Sequence, residues 1–267
     1  MILLHILVWL FVFLFFFVGI QFIIAVYDNL NFQDHHVDRG IDILTEFIKE
    51  VFITWFVFVA YVIGFFNYDS LLLRRTSKHK TPIILVHGYT MNRACFLLIH
   101  IRLFMDGFRV FTVNLYPPFK RIESLSELLA DKVDEIAEKT GEREVYIIGH
   151  SMGGLVARYY SSSPRGMSRV KKIITIATPH NGTRTAALGI GMNANEMKPG
   201  AAFLETLQTR HHAPLYAIWS IFDNMVVPPQ TGYLKDYPNS SVQFKGHITM
   251  LYSSAVYKLI FNEIKEL

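Results

Sequence analysis

Ser151 sits in the run Gly149-His150-Ser151-Met152-Gly153-Gly154, between an apolar stretch at 145–148 and a helical pattern at 152–162. Glycines two positions to either side lack Cβ atoms, so a strand and the following helix can approach each other around the turn. Such a turn holds a serine strained at the top of a sheet with its Oγ exposed, and the helix N-terminus beside it favours developing negative charge. The chemistry implied is nucleophilic attack on an acyl carbon. A serine hydroxyl is a poor nucleophile unless an oriented base takes its proton. In an architecture of this kind the partners follow in the order Ser, Asp or Glu, His, each just after a late strand. His247 fits, because it follows SVQFKG and precedes a helical pattern; Asp223 fits, because it follows LYAIWSIF and precedes Asn-Met-Val-Val-Pro-Pro. Their rivals are less apt. Asp236 lies in a Lys-Asp-Tyr-Pro turn, and His211 and His212 precede a strand, at the wrong edge of a sheet. A tetrahedral oxyanion also needs two preorganised N–H donors. Met152, the residue after the serine, supplies one, and Tyr89, after the run IILV and His87-Gly88, supplies the other; His87 itself reads as a loop-packing histidine.

These residues need a scaffold, and the pattern predicts one. Strands are expected at 81–87, 109–113, 144–148, 170–177, 214–219 and 241–244, and helices at 93–106, 122–139, 152–162 and 248–265. Alternating helices and near-continuous apolar strands predict a parallel sheet covered on both faces. Gly141 is an apt stop for the 122–139 helix. Residues 183–212 interrupt the alternation and read as a small cap, with Leu188, Met192, Met197 and Phe203 facing an acyl pocket; Phe203, Leu204 and Leu207 equally suit the core face of one helix. Residues 116–119 (Tyr-Pro-Pro-Phe) lie beside a strand C-terminus, where open α/β sheets bind ligands.

Four matches, in order, give the chain a resemblance to the lipase and carboxylesterase branch of the α/β-hydrolase superfamily. They are HGYT at 87–90, GHSMGG at 149–154, ATPHNGT at 177–183, and IFDNMVVPP at 221–229 paired with GHITML at 246–251. The resemblance covers residues 80–267. It implies an α/β-hydrolase fold with a small cap and acyl transfer through a covalent acyl-serine, with Ser151 as nucleophile, His247 as base and acid, and Asp223 as orienter. Tyr89 departs from the Gly-Gly-rich loop of some esterases and leans towards a lipase-type oxyanion loop. The same triad could pass the acyl group to an alcohol, amine or thiol, or cleave thioesters, and a hydrolase scaffold can also serve only to dock a partner at a membrane.

The resemblance is silent on the first seventy residues. The chain has 267 residues, 51% hydrophobic and 18% charged, and the shortage of charge is concentrated in that segment. Residues 2–26 are apolar save His5 and Gln21, long enough to span a hydrocarbon core of about 30 Å. No Lys or Arg precedes Arg39, which argues against a cleaved signal peptide. Residues 41–66 read as a second helix, with Asp42, Thr45, Glu46 and Lys49 as a polar stripe and 51–66 as a tight crossing or an interfacial segment. The expected organisation is thus an N-terminal membrane anchor of one or two helices over 1–73 and a catalytic domain over 74–267. The loop between the apolar stretches is acidic and Arg74, Arg75, Lys78 and Lys80 follow the second, so two crossings put the catalytic domain on the cytoplasmic side of the inner membrane, whereas a crossing by the first stretch alone puts it outside.

The expected partners are the membrane and a lipid or small acyl-ester substrate. A net charge of +4 without basic-aromatic tracts excludes a nucleic-acid surface, and the single Cys95 excludes an internal disulfide. No cofactor is expected, since no phosphate-cradling or dinucleotide glycine loop occurs. No metal is expected either: His35-His36 beside Asp34 and Asp38 reads as a solvated loop.

Overall fold

Runs of β-branched residues set the centre of the molecule. In the computed structural model, which describes residues 1–32, 40–69 and 77–265, they form β1 (Ile83–Val86), β2 (Val110–Val113), β3 (Val145–His150), β4 (Val170–Ile176), β5 (Leu215–Ser220) and β6 (Asn239–Val242). All neighbours pair in parallel, in the order β2-β1-β3-β4-β5-β6. Successive side chains of a strand face opposite ways, so Ile84 and Val86 enter one buried cluster while Ile83 and Leu85 enter another on the far face.

Helices supply the two outer layers. In chain order they are α1 (Ile2–Phe32), α2 (Gly40–Ala60), α3 (Leu97–Met105), α4 (Ile122–Thr140), α5 (Met152–Ser161), α6 (Met192–Glu196), α7 (Ala202–Thr209) and α8 (Ser254–Ile264). Leu125, Leu129 and Val133 of α4, at helical spacing, pack on one face of the sheet with Leu155 and Val156 of α5. Ile99 and Leu103 of α3 pack on the other with Val256 and Ile260 of α8. Gly141 closes α4 at φ +75, with its N–H bonded to the Ala137 carbonyl. Together these layers make an α/β-hydrolase fold. The expected cap holds a 3-10 turn (Arg184–Leu188), α6 and α7. Glu196 accepts the Ile122 N–H at 2.7 Å and so ties α6 to the start of α4.

The N-terminal helices differ from the expectation in one respect. The stretch 41–66 is not one helix: α2 ends at Ala60 and a 3-10 turn follows at Ile63–Phe65. Asn92 donates to the Tyr61 carbonyl at 2.7 Å and Asn114 to the Gly64 carbonyl at 2.8 Å, so the sheet's own loops draw the chain off the helix. The helix α2 runs antiparallel to α1, with Trp55 Nε1 donating to the Leu7 carbonyl at 3.3 Å and Phe47 packed against Phe15 and Phe22. Its Val57 joins the sheet cluster of Ile83 and Phe96, so this helix shares a core with the sheet. Among the described residues, one helix has the length and hydropathy to cross a membrane, over Ile2–Asp28. The loop with His35 and His36, residues 71–73, Arg74 and Arg75 lie outside the described residues.

Candidate active site

Ser151 occupies the bend between β3 and α5 at φ 55 and ψ −128, a conformation that L-residues avoid. Tight packing enforces it. A Cβ at Gly153 would meet the Val86 carbonyl oxygen at 2.2 Å, so α5 can begin this close to β1 only with glycine there. The bend is pinned by the Ser151 N–H on the Ile176 carbonyl at 2.9 Å. Gly149 is the fifth residue of β3, aligned with Val86 and Thr175, and His150 closes the strand.

His247 and Asp223 leave the ends of β6 and β5, as the strand order demands. Nδ1 of His247 donates to the Asp223 carboxylate at 3.0 Å from each oxygen. Asp223 Oδ1 also accepts the N–H groups of Met225 and Val226 at 2.8 and 2.9 Å. Burial disfavours an imidazolium here, but the charge of Asp223, its hydrogen bond and the charge of Glu50 outweigh it, and His247 titrates above the ordinary histidine value. Ser151 and His247 open onto one cavity without a mutual hydrogen bond among the described residues. Catalytic hydrogen bonds often tighten only when substrate is bound. The rivals lie elsewhere: Asp236 is exposed, and His212 bonds the Leu207 and Arg158 carbonyls away from the cavity.

The loop after β1 also approaches the serine. A Cβ at Gly88 would lie 2.8 Å from Ser151 Cβ, so this loop reaches the serine only through glycine. Tyr89 follows; its hydroxyl donates to the Ile190 carbonyl and accepts the Ile190 N–H at 2.7 and 2.8 Å, lashing the loop to the cap. Met152 is the first residue of α5, so its N–H has no partner within the helix. Its sulfur accepts from Asn193 of α6 at 3.2 Å. His87 is a loop-packing histidine: Nε2 accepts the Leu115 N–H at 2.9 Å, so the proton sits on Nδ1 and is donated to the Gly88 carbonyl. Burial drives its pKa down to about 4.

Of the four cap residues expected at the pocket, Leu188 and Met197 line the cavity. Met192 is exposed, with its N–H on the Phe119 carbonyl, and Phe203 stacks on Tyr159 against the core; neither lines it. Tyr116 is exposed, and Phe119 packs on Tyr89.

The rest of the wall comes from a quarter the sequence reading assigned to the anchor. Phe17, Val18 and Gln21 of α1 and Glu50, Thr54 and Phe58 of α2 face the same cavity. Glu50 is buried and accepts the N–H groups of Ile248 and Thr249 at 2.7 and 2.8 Å, directly after His247. Burial raises its pKa to about 7 against those two donors and His247. Glu46, one turn earlier, accepts the Gly246 N–H at 3.2 Å and the Thr249 hydroxyl, and pairs with Lys245 at 3.1 Å. Asn224 accepts the His247 N–H at 2.8 Å and donates to Gln21 at 2.9 Å. The signal that could have found Glu46 and Glu50 is their i, i+4 spacing with Thr54 and, one turn on, Val57: a single buried stripe. No cluster of His, Cys, Asp or Glu suited to a metal ion occurs among the described residues.

Comparisons with known proteins agree with this architecture. A family model for the alpha/beta hydrolase fold matches residues 81–212. A GPI inositol-deacylase from Candida albicans is 39% identical over 61 residues, 23% of this chain and 15% of that protein. A triacylglycerol lipase from Pseudarthrobacter phenanthrenivorans is 32% identical over 113 residues, 39% of this chain and 35% of the lipase. The matches thus span about a third or less of these relatives' lengths. Among solved structures, the mature form of a Bacillus licheniformis lipase superposes with a TM-score of 0.66 at 16% identity, covering 73% of this chain and 96% of the lipase. Aspergillus fumigatus lipase B gives 0.62 at 20%, covering 70% and 53%. Sequence match, strand order and bend agree on an α/β-hydrolase fold, and the proteins that this chain is similar to include lipases.

Proposed function

We propose that the protein is a membrane-held serine carboxylester hydrolase working through Ser151, His247 and Asp223. The observation that carries this reading is the strained serine in the wall of a cavity shared with an imidazole whose far nitrogen is bonded to a buried carboxylate. In the first half-reaction Nε2 of His247 takes the Ser151 proton as Oγ attacks the acyl carbon. The oxyanion accepts from the Met152 and Tyr89 N–H groups. His247 then protonates the departing alcohol, leaving an acyl-serine. Water repeats the sequence, deprotonated by His247, and releases the carboxylic acid. Asp223 holds the imidazole with Nδ1 protonated, so that Nε2 is free to act as the base. The chain needs no cofactor for these steps.

The apolar helix α1 holds the enzyme at a membrane, and the basic residues Arg74, Arg75, Lys78 and Lys80 that follow the two helices in sequence favour the cytoplasmic face of the inner membrane. The decisive experiment is covalent labelling. A fluorophosphonate is expected to label wild-type protein at Ser151, and Ser151→Ala is expected to lose both labelling and p-nitrophenyl ester turnover with an unchanged melting profile. Turnover retained by the alanine variant refutes the assignment.

A further inference from the structure

The helices α1 and α2 meet two surfaces at once. One side of α1, carrying Leu14, Val18, Gln21, Phe22 and Ala25, is buried. Its other side exposes Phe13, Phe16 and Ile20, and α2 exposes Ile48, Phe52 and Phe56 beside it. An apolar layer with the catalytic domain on one side and large exposed side chains on the other calls for a lipid phase. The question is how the layer sits in it.

Depth decides. Phe47 packs against both Phe15 and Phe22, so the Glu46–Glu50 turn of α2 lies level with the middle of α1. At that level Lys49 has an exposed side chain, and Glu46 and Glu50 hold the loop of His247. Were α1 to cross the bilayer, that level would be its midplane, and an exposed ammonium and the catalytic loop would both lie in hydrocarbon, where charge is least tolerated. Laid along one leaflet, the same helices bury their apolar side and leave Lys49 and the domain at the headgroups. The cavity reaches this layer, with Phe17, Val18 and Phe58 in its wall. Thr54, 5% exposed, lines it too, and its hydroxyl has no hydrogen-bond partner among the described residues.

We infer that the α1–α2 hairpin lies side-on in one leaflet without crossing it, and that the cavity beneath takes a lipid ester from that leaflet. The acyl chain passes along Phe17 and Phe58, and the ester carbonyl reaches Ser151. A polar group of the lipid near its ester accepts from or donates to the Thr54 hydroxyl. The hairpin is then both the anchor and the acyl-side wall. This rests on the hydrolase reading for its chemistry, while its topology stands independently.

Two measurements on the full-length chain test it. Single-cysteine variants His5→Cys, Gly40→Cys and Glu138→Cys are treated with a membrane-impermeant maleimide in sealed vesicles of either orientation. All three are expected to react from the same face. Reaction of Gly40→Cys from the opposite face means that the hairpin crosses, and of His5→Cys that α1 crosses alone; either overturns the inference. In phosphatidylcholine vesicles, Phe17→Trp is expected to lower the palmitate-to-acetate ratio of p-nitrophenyl ester kcat/KM about tenfold, and Phe17→Ala to shift the ratio the other way. Fluorophosphonate labelling reports that each variant is folded. Ratios equal to wild type in labelled variants overturn the wall. A wild-type chain that neither labels nor turns over either ester overturns the hydrolase reading instead, and the maleimide pattern still decides the topology.

Discussion

Replacing Glu50 by Gln gives a prediction with opposite signs for intuition and linkage. Glu50 is a buried acid taking two backbone N–H bonds from the strand-end loop of His247, which suggests that losing its charge should destabilise the fold. Its pKa, however, is raised from 4.5 to about 7, because burial outweighs those two donors. A raised folded pKa means that the folded chain binds the proton more tightly than the unfolded one. The stability from this group is therefore fully present below pH 4.5 and is lost as the pH climbs through 7. A shift of this size corresponds to roughly 3 kcal/mol. Gln does not titrate, but its NH2 end cannot accept and faces one of the two N–H donors of Ile248 and Thr249, a loss that is present at every pH. Glu50→Gln should thus be less stable than wild type at pH 4 and should gain on it by roughly 3 kcal/mol, or roughly 6–12 °C in Tm, between pH 4 and pH 8. The histidines that titrate in this range are common to both proteins and cancel in the difference. Activity should move as well. The Glu50 charge helps to hold the His247 pKa up, and the base acts only when neutral, so the acid limb of kcat/KM should move to lower pH in the variant. Thermal unfolding in lipid nanodiscs at pH 4–8 and a pH–rate profile on a short ester read both quantities. A stability difference that stays constant across the range, or an acid limb that moves upward, refutes this reasoning.

The bend and the oxyanion loop give two more. Ser151→Gly should raise Tm while abolishing turnover, since glycine adopts φ 55 freely and the strain of such a conformation is about 1–3 kcal/mol; a lowered Tm in calorimetry counts against a strained bend. Gly88→Ala should keep the fold but cut kcat by about 10²–10³, because the new Cβ would lie 2.8 Å from Ser151 Cβ and push the Tyr89 N–H off the oxyanion position; a change confined to KM argues that this loop does not touch the transition state.

What the sequence made legible was local. A glycine-flanked serine between an apolar run and a helix specifies its own bend, because the crowding that forces the bend is contained in Gly149–Gly154 and the strand beside it. Asp223 and His247 were legible from position alone, since a parallel sheet brings every strand's C-terminal end to one edge. Glu46 and Glu50 were not. They share a helix with exposed Asp42, Thr45 and Lys49, and on a helical wheel they pass for one solvated stripe; their acceptors' partners lie about two hundred residues away, in the loop of His247. A carboxylate's burial depends on what is folded over it, and no local pattern encodes that. Phe203 illustrates the reverse case. Its helical spacing suited a pocket and a core equally, and only the stacking on Tyr159 separates the two.

The same contacts make the hairpin hard to regard as a detachable tether. Besides the Lys245 ammonium on Glu46, five donors of the Asp223 and His247 loops end on it: Asn224 Nδ2 on Gln21, the Gly246 N–H and the Thr249 hydroxyl on Glu46, and the Ile248 and Thr249 N–H groups on Glu50. At about 1 kcal/mol net for each, and more for those to carboxylates, the set amounts to on the order of 5–10 kcal/mol, comparable with the whole stability of an ordinary domain. Val57, buried in the sheet cluster, adds to that. Pulling the helices away would leave those donors facing an opened apolar cavity, and the loop that aims His247 would lose what fixes it. The position of His247 is therefore set by the same residues that set the position of the apolar layer. On the function proposed above, the order of the site and its placement at a lipid surface are one structural property, which accounts for two carboxylates on the inner side of a helix so rich in Phe and Ile.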